Sequence, residues 1–382
     1  MRQDYLRCAG SKPLITLPSA HCCFILHTSS LGPDMASLGA NTVAILIALG
    51  SFPVSLALTR FFMHWNGKHG IIGIDVHKLN RPKVPEMVGV AVPITLVLFA
   101  AIYAIVGGSS SIPLLAYALV VGLAALVGAV DDRLKLRGIF KPLLTLLCGL
   151  PILILGLTFP GQVYTSTLHV PLFGGFHLPV IYPLTILVAV SVTSNTVNML
   201  DPLNGSMAGG VSIVAGGLLI GSLLVGAGST PVGVSSMPIF LYASLMFSLL
   251  GFLYYNRFPA RAFAGNVGQL SIGASIGALA ILGRTEIASI VAIFPNIQNS
   301  FFFLSRIRRF TEHRELTSRP TKLLSDGRLA DSEDPRAPLT LVRTLLIGRP
   351  APENEIVSTI WMLFLTSTSL AVITLLLTGV PR

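Results

Sequence analysis

The sequence predicts an all-α, polytopic membrane protein with about ten transmembrane helices. Only 11% of its 382 residues are Asp, Glu, Lys or Arg, against about 25% in a typical soluble domain. Hydrophobic residues make up 52%, and the mean hydropathy is +0.76. So few charges cannot give a soluble core enough polar surface, and so hydrophobic a chain is not disordered.

The placement of the charges predicts the individual spans. Residues 87–130, 142–200 and 202–256 contain no Asp, Glu, Lys or Arg. Each stretch exceeds the roughly 20 residues that cross a bilayer, and each is continuously apolar, which favours helices over alternating transmembrane strands. Ten spans are predicted, at residues 41–63, 88–107, 112–130, 140–158, 179–198, 208–227, 235–255, 266–283, 287–304 and 356–378.

The first 34 residues differ from the rest of the chain. They hold three of the four cysteines and lack an apolar run long enough to span a membrane. We therefore predict that residues 1–34 are either a disordered tail or the result of a start site assigned too early. In the second case Met35 is the true start. Residues 35–382 are predicted to form a single ten-helix transmembrane domain, in which 305–355 is a long polar loop with a short helix.

The basic residues predict the orientation of the spans. One set of loops carries 19 of the 26 Lys and Arg residues, whereas the opposite loops and the C-terminal end carry only Arg284 and Arg382. The positive-inside rule places the basic set in the cytoplasm. The net charge of +10 then reflects this bias and an anionic substrate, so no nucleic-acid partner is expected. The basic set comprises residues 64–87, 131–139, 199–207, 256–265 and 305–355.

Two adjacent carboxylates, Asp131 and Asp132, end a span that is otherwise uncharged. Acids at a membrane edge need water, cations or a metal as compensation. Arg133, Lys135 and Arg137 follow closely, so an ordinary cytoplasmic flank is the alternative explanation.

Amide side chains crowd the end of a later span. Asn195 and Asn198 are three residues apart and share a helix face, and Asp201 and Asn204 follow directly. Amide and carboxylate oxygens are hard ligands that suit Mg²⁺. Ordinary turn chemistry around Pro202 is the alternative.

Three further loops carry polar residues of interest. In one, Arg261 could pair with phosphate and Phe263 could stack on a base, ahead of a glycine-containing helix start that favours anions. A basic interfacial loop explains the same residues. In the last loop His313 and Arg314 lie in a basic run that lipid headgroups alone could explain, and Glu86 sits at the start of a span.

All these groups fall on the same predicted face of the membrane. Together they describe a metal and phosphate site on the cytoplasmic side, and the surrounding spans suggest that one substrate is a lipid. A transporter for a nucleotide sugar or a lipid-linked sugar is an alternative, but it would place polar groups at mid-membrane. A non-catalytic membrane scaffold is a second alternative.

The sequence resembles the polyprenyl-phosphate N-acetylhexosamine-1-phosphate transferases, and most closely the eukaryotic and archaeal UDP-GlcNAc–dolichyl-phosphate GlcNAc-1-phosphate transferases of glycosyltransferase family 4. The resemblance covers about residues 40–378 and includes the order of the loops and motifs. Three patterns carry it: Asp131-Asp132, Asn-x-x-Asn-x-x-x-x-x-Asn-Gly from Asn195, and Arg-x-Phe-x-Gly-Asn from Arg261.

This resemblance implies that the protein moves GlcNAc-1-phosphate from UDP-GlcNAc to a dolichyl or other polyprenyl phosphate, with Mg²⁺ (or Mn²⁺) as cofactor. It implies an integral protein of the plasma membrane or endoplasmic reticulum with a cytoplasmic active site. It is also compatible with a homodimer. The implied residues are Asn198 and Asn266 for the metal, Asp131 and Asp132 as essential acids, Lys141 at the diphosphate, Glu86, Asn204 and Phe263 around the uridine, and His313 and Arg314 at the sugar phosphate.

Two positions depart from the family pattern. Asn266 stands where eukaryotic members have Asp, which removes one charge from the implied metal site. Asp131, Asp132 or Asp201 could compensate. Glu312 stands where some relatives have Arg.

Overall fold

Long helices dominate the computed structural model, which describes residues 33–107, 111–225, 236–307 and 318–378. The helices are α1 (Pro33–Leu49), α2 (Ser51–Lys68), α3 (Ala91–Val106), α4 (Ser111–Leu134), α5 (Phe140–Leu147), α6 (Leu150–Thr158), α7 (Ile181–Met199), α8 (Ser206–Leu224), α9 (Met237–Asn256), α10 (Gly265–Leu282), α11 (Glu286–Ala292), α12 (Phe294–Ile307), α13 (Leu341–Leu345) and α14 (Glu353–Leu377).

Three small antiparallel hairpins lie in the loops between the helices. Their strands are β1 (Ile72–Ile74) with β2 (Lys83–Pro85), β3 (Thr167–Val170) with β4 (Gly174–His177), and β5 (Thr321–Leu323) with β6 (Leu329–Asp331). The predicted long loop at 305–355 therefore contains a hairpin as well as the expected short helix, α13. Its residues 308–317 lie outside the described chain, as does nearly all of the predicted tail.

The predicted all-α membrane architecture is confirmed. Within the described residues, nine helical segments are long and apolar enough to cross a membrane, and α11 with α12 makes a tenth if the pair counts as one span. This pair bends by 67° at its break. The pairs α1–α2 and α5–α6 each pass as one continuous span, Gly39–Lys68 and Phe140–Thr158.

Helix α10 is the central helix, packed against α4 on one side and α7 on the other. Small residues permit this packing, because a Cβ atom on Gly128 of α4 would lie 2.3 Å from the Asn266 carbonyl oxygen. A Cβ on Gly273 of α10 would lie 2.5 Å from the Thr193 carbonyl oxygen of α7. Small residues let transmembrane backbones approach closely. As a result, the polar ends of α4 and α7 meet the first turn of α10.

We expect Gly128→Val to destabilise the protein by about 1–3 kcal/mol, the usual effect of overpacking, because the new side chain would meet the α10 backbone. Gly122→Val is the matched control on the same helix, since a Cβ at Gly122 meets nothing within 4 Å. Thermal unfolding of the purified proteins in detergent measures the difference. Equal unfolding temperatures for the two variants would contradict the proposed packing.

Candidate active site

A cavity of about 240 Å³ lies where the ends of α4 and α7 approach the start of α10 and the β1–β2 loop. In the described part of the chain its wall carries four carboxylates, and no Lys or Arg side chain lines it. The residues in its wall include Asp75, His77, Glu86, Asp132, Asp201, Asn204, Asn256, Phe263, Gly265, Asn266 and Gln269.

The carboxylate of Asp132 caps the N-terminus of α10. Its Oδ1 accepts hydrogen bonds from the backbone N (2.9 Å) and the Nδ2 (2.8 Å) of Asn266, and its Oδ2 accepts from the backbone N of Val267 at 3.0 Å. The first N–H groups of a helix have no partner within the helix, and a carboxylate there is favoured by the helix dipole. Gly265 allows the contact, since its φ is +67° and a Cβ would lie 2.9 Å from Oδ2.

Asn266 connects this cap to two further helices. Its Oδ1 accepts from Lys141 Nζ at 3.1 Å and from Asn198 Nδ2 at 2.7 Å. Lys141 also pairs with Asp131, with 2.7 Å between Nζ and Oδ2, and both side chains are buried. Five residues expected from the sequence thus form one bonded group from α4, α5, α7 and α10. We call Asp131, Asp132, Lys141, Asn198 and Asn266 the Asn266 cluster.

Gln269 extends the cluster, and the sequence analysis missed it. Its Oε1 accepts from Asn198 Nδ2 at 2.5 Å, and its Nε2 donates to Asp201 Oδ2 at 2.7 Å. Burial raises the pKa of Asp201 from its ordinary 3.8 to about 6, although the hydrogen bond from Gln269 opposes the rise. The available signal was helical spacing, since Gln269 lies three residues after Asn266 and therefore on the same face.

The same cavity is lined by the residues expected around a base, Phe263, Asn204 and Glu86. Burial raises the pKa of Glu86, and the nearby charge of Asp132 raises it further while Lys135 lowers it. Burial lowers the pKa of His77.

The structure does not bring every expected residue to the cavity. The Arg261 side chain is exposed, donates to the Tyr254 carbonyl oxygen at 3.0 Å, and packs over the Tyr254 and Tyr255 rings. Asn195 donates to Thr145 Oγ1 and to the Ser191 carbonyl oxygen, both at 2.8 Å, and so faces α5. His313 and Arg314 lie outside the described residues.

Known proteins resemble this chain over most of its length. A protein of Methanocaldococcus jannaschii whose name describes a glycosyltransferase is 30% identical over 317 residues, which cover 82% of this chain and 90% of the relative. Residues 114–284, from the start of α4 to just after α10, match the family model for glycosyl transferase family 4. The chain belongs to glycosyl transferase family 4.

Two other relatives have more specific names. A protein of Saccharolobus solfataricus, 29% identical over 84% of this chain and 93% of the relative, bears the name of a UDP-N-acetylglucosamine–dolichyl-phosphate N-acetylglucosaminephosphotransferase. A phospho-N-acetylmuramoyl-pentapeptide-transferase of Moorella thermoacetica is 36% identical over 43% of this chain and 51% of the relative.

The carboxylate and amide oxygens of this family 4 site are the type of ligand that Mg²⁺ prefers. Within the described residues no group of three or more His, Cys, Asp or Glu side chains could hold a metal, so a cation there would also need amide oxygens. Asn266 Oδ1, which lines the cavity, would have to release its bonds from Lys141 and Asn198 to bind one. Mg²⁺ binds through one or two carboxylates and completes its shell with water and substrate phosphates. Asp132 and Asp201 supply carboxylates beside the amides, which suits that requirement.

We expect Lys141→Met to destabilise the protein by about 3–5 kcal/mol, because it leaves Asp131 buried without its partner charge. The double variant Lys141→Met/Asp131→Asn should lose clearly less, since it removes both charges. Denaturation of the four proteins in detergent gives the double-mutant cycle. Additive losses would contradict a coupled buried pair.

Proposed function

We propose that the protein transfers GlcNAc-1-phosphate from UDP-GlcNAc to a dolichyl or other polyprenyl phosphate and releases UMP. The observation that carries this proposal is the convergence of Lys141, Asn198 and Asp132 on Asn266, in the wall of a cavity that Phe263 and Asn204 also line. The names of the archaeal relatives support the same substrates.

The side chains around the cavity suit the two parts of a nucleotide sugar. The Phe263 ring offers a face on which uracil can stack, and Asn204 offers an amide for its polar edge. Lys141 does not line the cavity, and its ammonium acts on the site through its hydrogen bond to Asn266 Oδ1. His313 and Arg314 are proposed to bind the sugar phosphate from the last loop, as the family resemblance implies.

Asn198 and Asn266 would hold Mg²⁺, with Asp132 and Asp201 as the nearest carboxylates and Mn²⁺ as the alternative ion. When bound, the cation neutralises the diphosphate and withdraws charge from the phosphorus that is attacked. The protein's own part is to position the two phosphates, because phosphoryl transfer needs orientation and charge neutralisation more than covalent chemistry.

In the proposed reaction an oxygen of the lipid phosphate attacks the phosphorus that bears the sugar. A new phosphorus–oxygen bond forms, the bond to the UMP phosphate oxygen breaks, and UMP leaves. Asp132 lines the cavity and can accept a proton from the lipid phosphate, whereas Asp131 is 1% exposed and holds Lys141. A two-step route through a covalent carboxylate intermediate is the competing chemistry.

The cavity lies at the ends of α4, α7 and α10, as a lipid-modifying enzyme requires, and not at their midpoints, as a transporter would require. The protein is an integral membrane protein. We propose that its active site faces the cytoplasm, in the plasma membrane or the endoplasmic reticulum. The reason is that the loops lining the cavity belong to the basic set, which the positive-inside rule assigns to the cytoplasm.

The purified protein is expected to release UMP from UDP-GlcNAc only when both Mg²⁺ and a polyprenyl phosphate are present. Asp132→Asn should lower kcat by roughly 100-fold or more, as loss of a general base does, while an amide can still accept a bond at the α10 N-terminus. Asp326→Asn, on an exposed carboxylate of the last loop, is the control. Full activity of Asp132→Asn at neutral pH would exclude the proposed base.

Asn266→Asp should make the stability of the protein depend on Mg²⁺. The substitution replaces the Nδ2 that donates to Asp132 Oδ1 at 2.8 Å with a carboxylate oxygen, so two acids would face each other. We expect a lower unfolding temperature than wild type in EDTA and recovery with Mg²⁺. An equal Mg²⁺ response in wild type and variant would argue against a cation at this position.

A further inference from the structure

A buried ion-pair group adjoins the cavity and shares no residue with the Asn266 cluster. It consists of Asp75, Lys78, Asn204 and Glu353, which we call the Lys78–Glu353 clamp. Lys78 and Glu353 are 275 positions apart in the sequence and form a short salt bridge. Glu353 is 4% exposed, and neither Lys78 nor Glu353 lines the cavity.

The clamp holds Asn204 by both its backbone and its side chain. Glu353 Oε1 accepts from the Asn204 backbone N at 2.7 Å, and Asp75 Oδ2 accepts from Asn204 Nδ2 at 3.0 Å. Lys78 Nζ binds both carboxylates, at 3.4 Å from Asp75 Oδ2 and in closer contact with Glu353 Oε2. The bond from Nδ2 to Asp75 fixes the orientation of the Asn204 amide in the cavity wall.

The clamp joins four separate polar segments. Lys78 comes from the β1–β2 loop, Asn204 from the α7–α8 turn, and Glu353 is the first residue of α14. Lys78 Nζ also lies 4.4 Å from the centre of the Phe258 ring, in the α9–α10 loop that carries Phe263. Lys78 therefore contacts the loop that carries Phe263 and, through Asp75 and Glu353, holds Asn204.

We propose that Lys78 and Glu353 are positioning residues for the nucleotide, acting through Asp75 and Asn204 without touching the substrate. This inference rests on the proposed function, since it names how the same cavity is shaped for the base. Removing the ammonium leaves Asp75 and Glu353 as two buried carboxylates with no shared cation. Their repulsion would separate the β1–β2 loop from the start of α14 and weaken the two hydrogen bonds that hold Asn204.

Lys78→Met is the variant that tests this assignment. We expect the KM for UDP-GlcNAc and the Kd for UMP, measured by equilibrium dialysis, to rise roughly tenfold or more, as for loss of a bond to a charged group. The KM for the polyprenyl phosphate and kcat should change by less than about twofold, because the Asn266 cluster is not part of the clamp. Lys78→Arg should keep nearly wild-type values, since it restores the cation.

Two further variants separate positioning from general stability. Glu353→Gln in the Lys78→Met background should restore part of the UMP affinity, because it removes one of the two carboxylates that repel each other. Glu355→Gln is the matched control: it lies two residues farther along α14 and removes an exposed ion pair with Arg349 of 3.0 Å. It should leave every constant unchanged.

The outcomes that overturn the clamp are distinct from those that overturn the transfer reaction. Unchanged UMP affinity in Lys78→Met overturns the clamp. A fall in active protein with both KM values unchanged also overturns it, because that pattern shows a purely structural role. If wild type releases no UMP under any substrate combination, the transfer reaction fails, while UMP dialysis still tests the clamp.

Discussion

The contact between the Asp132 carboxylate and the first turn of α10 is the constraint on which the site depends. It satisfies two backbone N–H groups and fixes the Asn266 amide in one interaction. The contact exists only because Gly128 lets α4 approach α10 and because Gly265 accepts a left-handed conformation. Packing inside the membrane therefore determines where the polar atoms lie at its surface.

The charges around the cavity limit which ligands it can bind. Four carboxylates line the cavity in the described part of the chain, and Lys141 is bound to Asp131. An anionic diphosphate would be repelled by such a wall unless protons or a cation compensated the charge. The raised pKa values of Glu86 and Asp201 have the same origin, because burial disfavours ionised carboxylates that lack a cation. A site of this kind would favour a nucleotide that arrives together with a divalent cation.

The sequence predicted the spans well, because length and the absence of charge are properties of each segment alone. It also predicted most of the Asn266 cluster, since those residues stand in recognisable patterns. It could not predict side-chain direction: Asn195 and Asn198 share a helix face, yet Asn195 bonds toward α5 and Asn198 toward α10. Nor could it pair Lys78 with Glu353, because such distant contacts depend on how the loops pack. The hairpins were missed because strands of three or four residues carry too little alternation to detect.

The Asn266 cluster and the Lys78–Glu353 clamp join different parts of the chain. The Asn266 cluster joins helices that the bilayer already holds in place, so its geometry follows from the packing of α4, α7 and α10. The clamp joins loops and the start of α14, which the bilayer does not hold, and it therefore needs strong charge pairing in a buried setting. Damage to the cluster should appear in the chemical step, and damage to the clamp in nucleotide affinity. A single cavity can thus keep binding and reaction under separate control, because different segments of the chain carry the two polar groups.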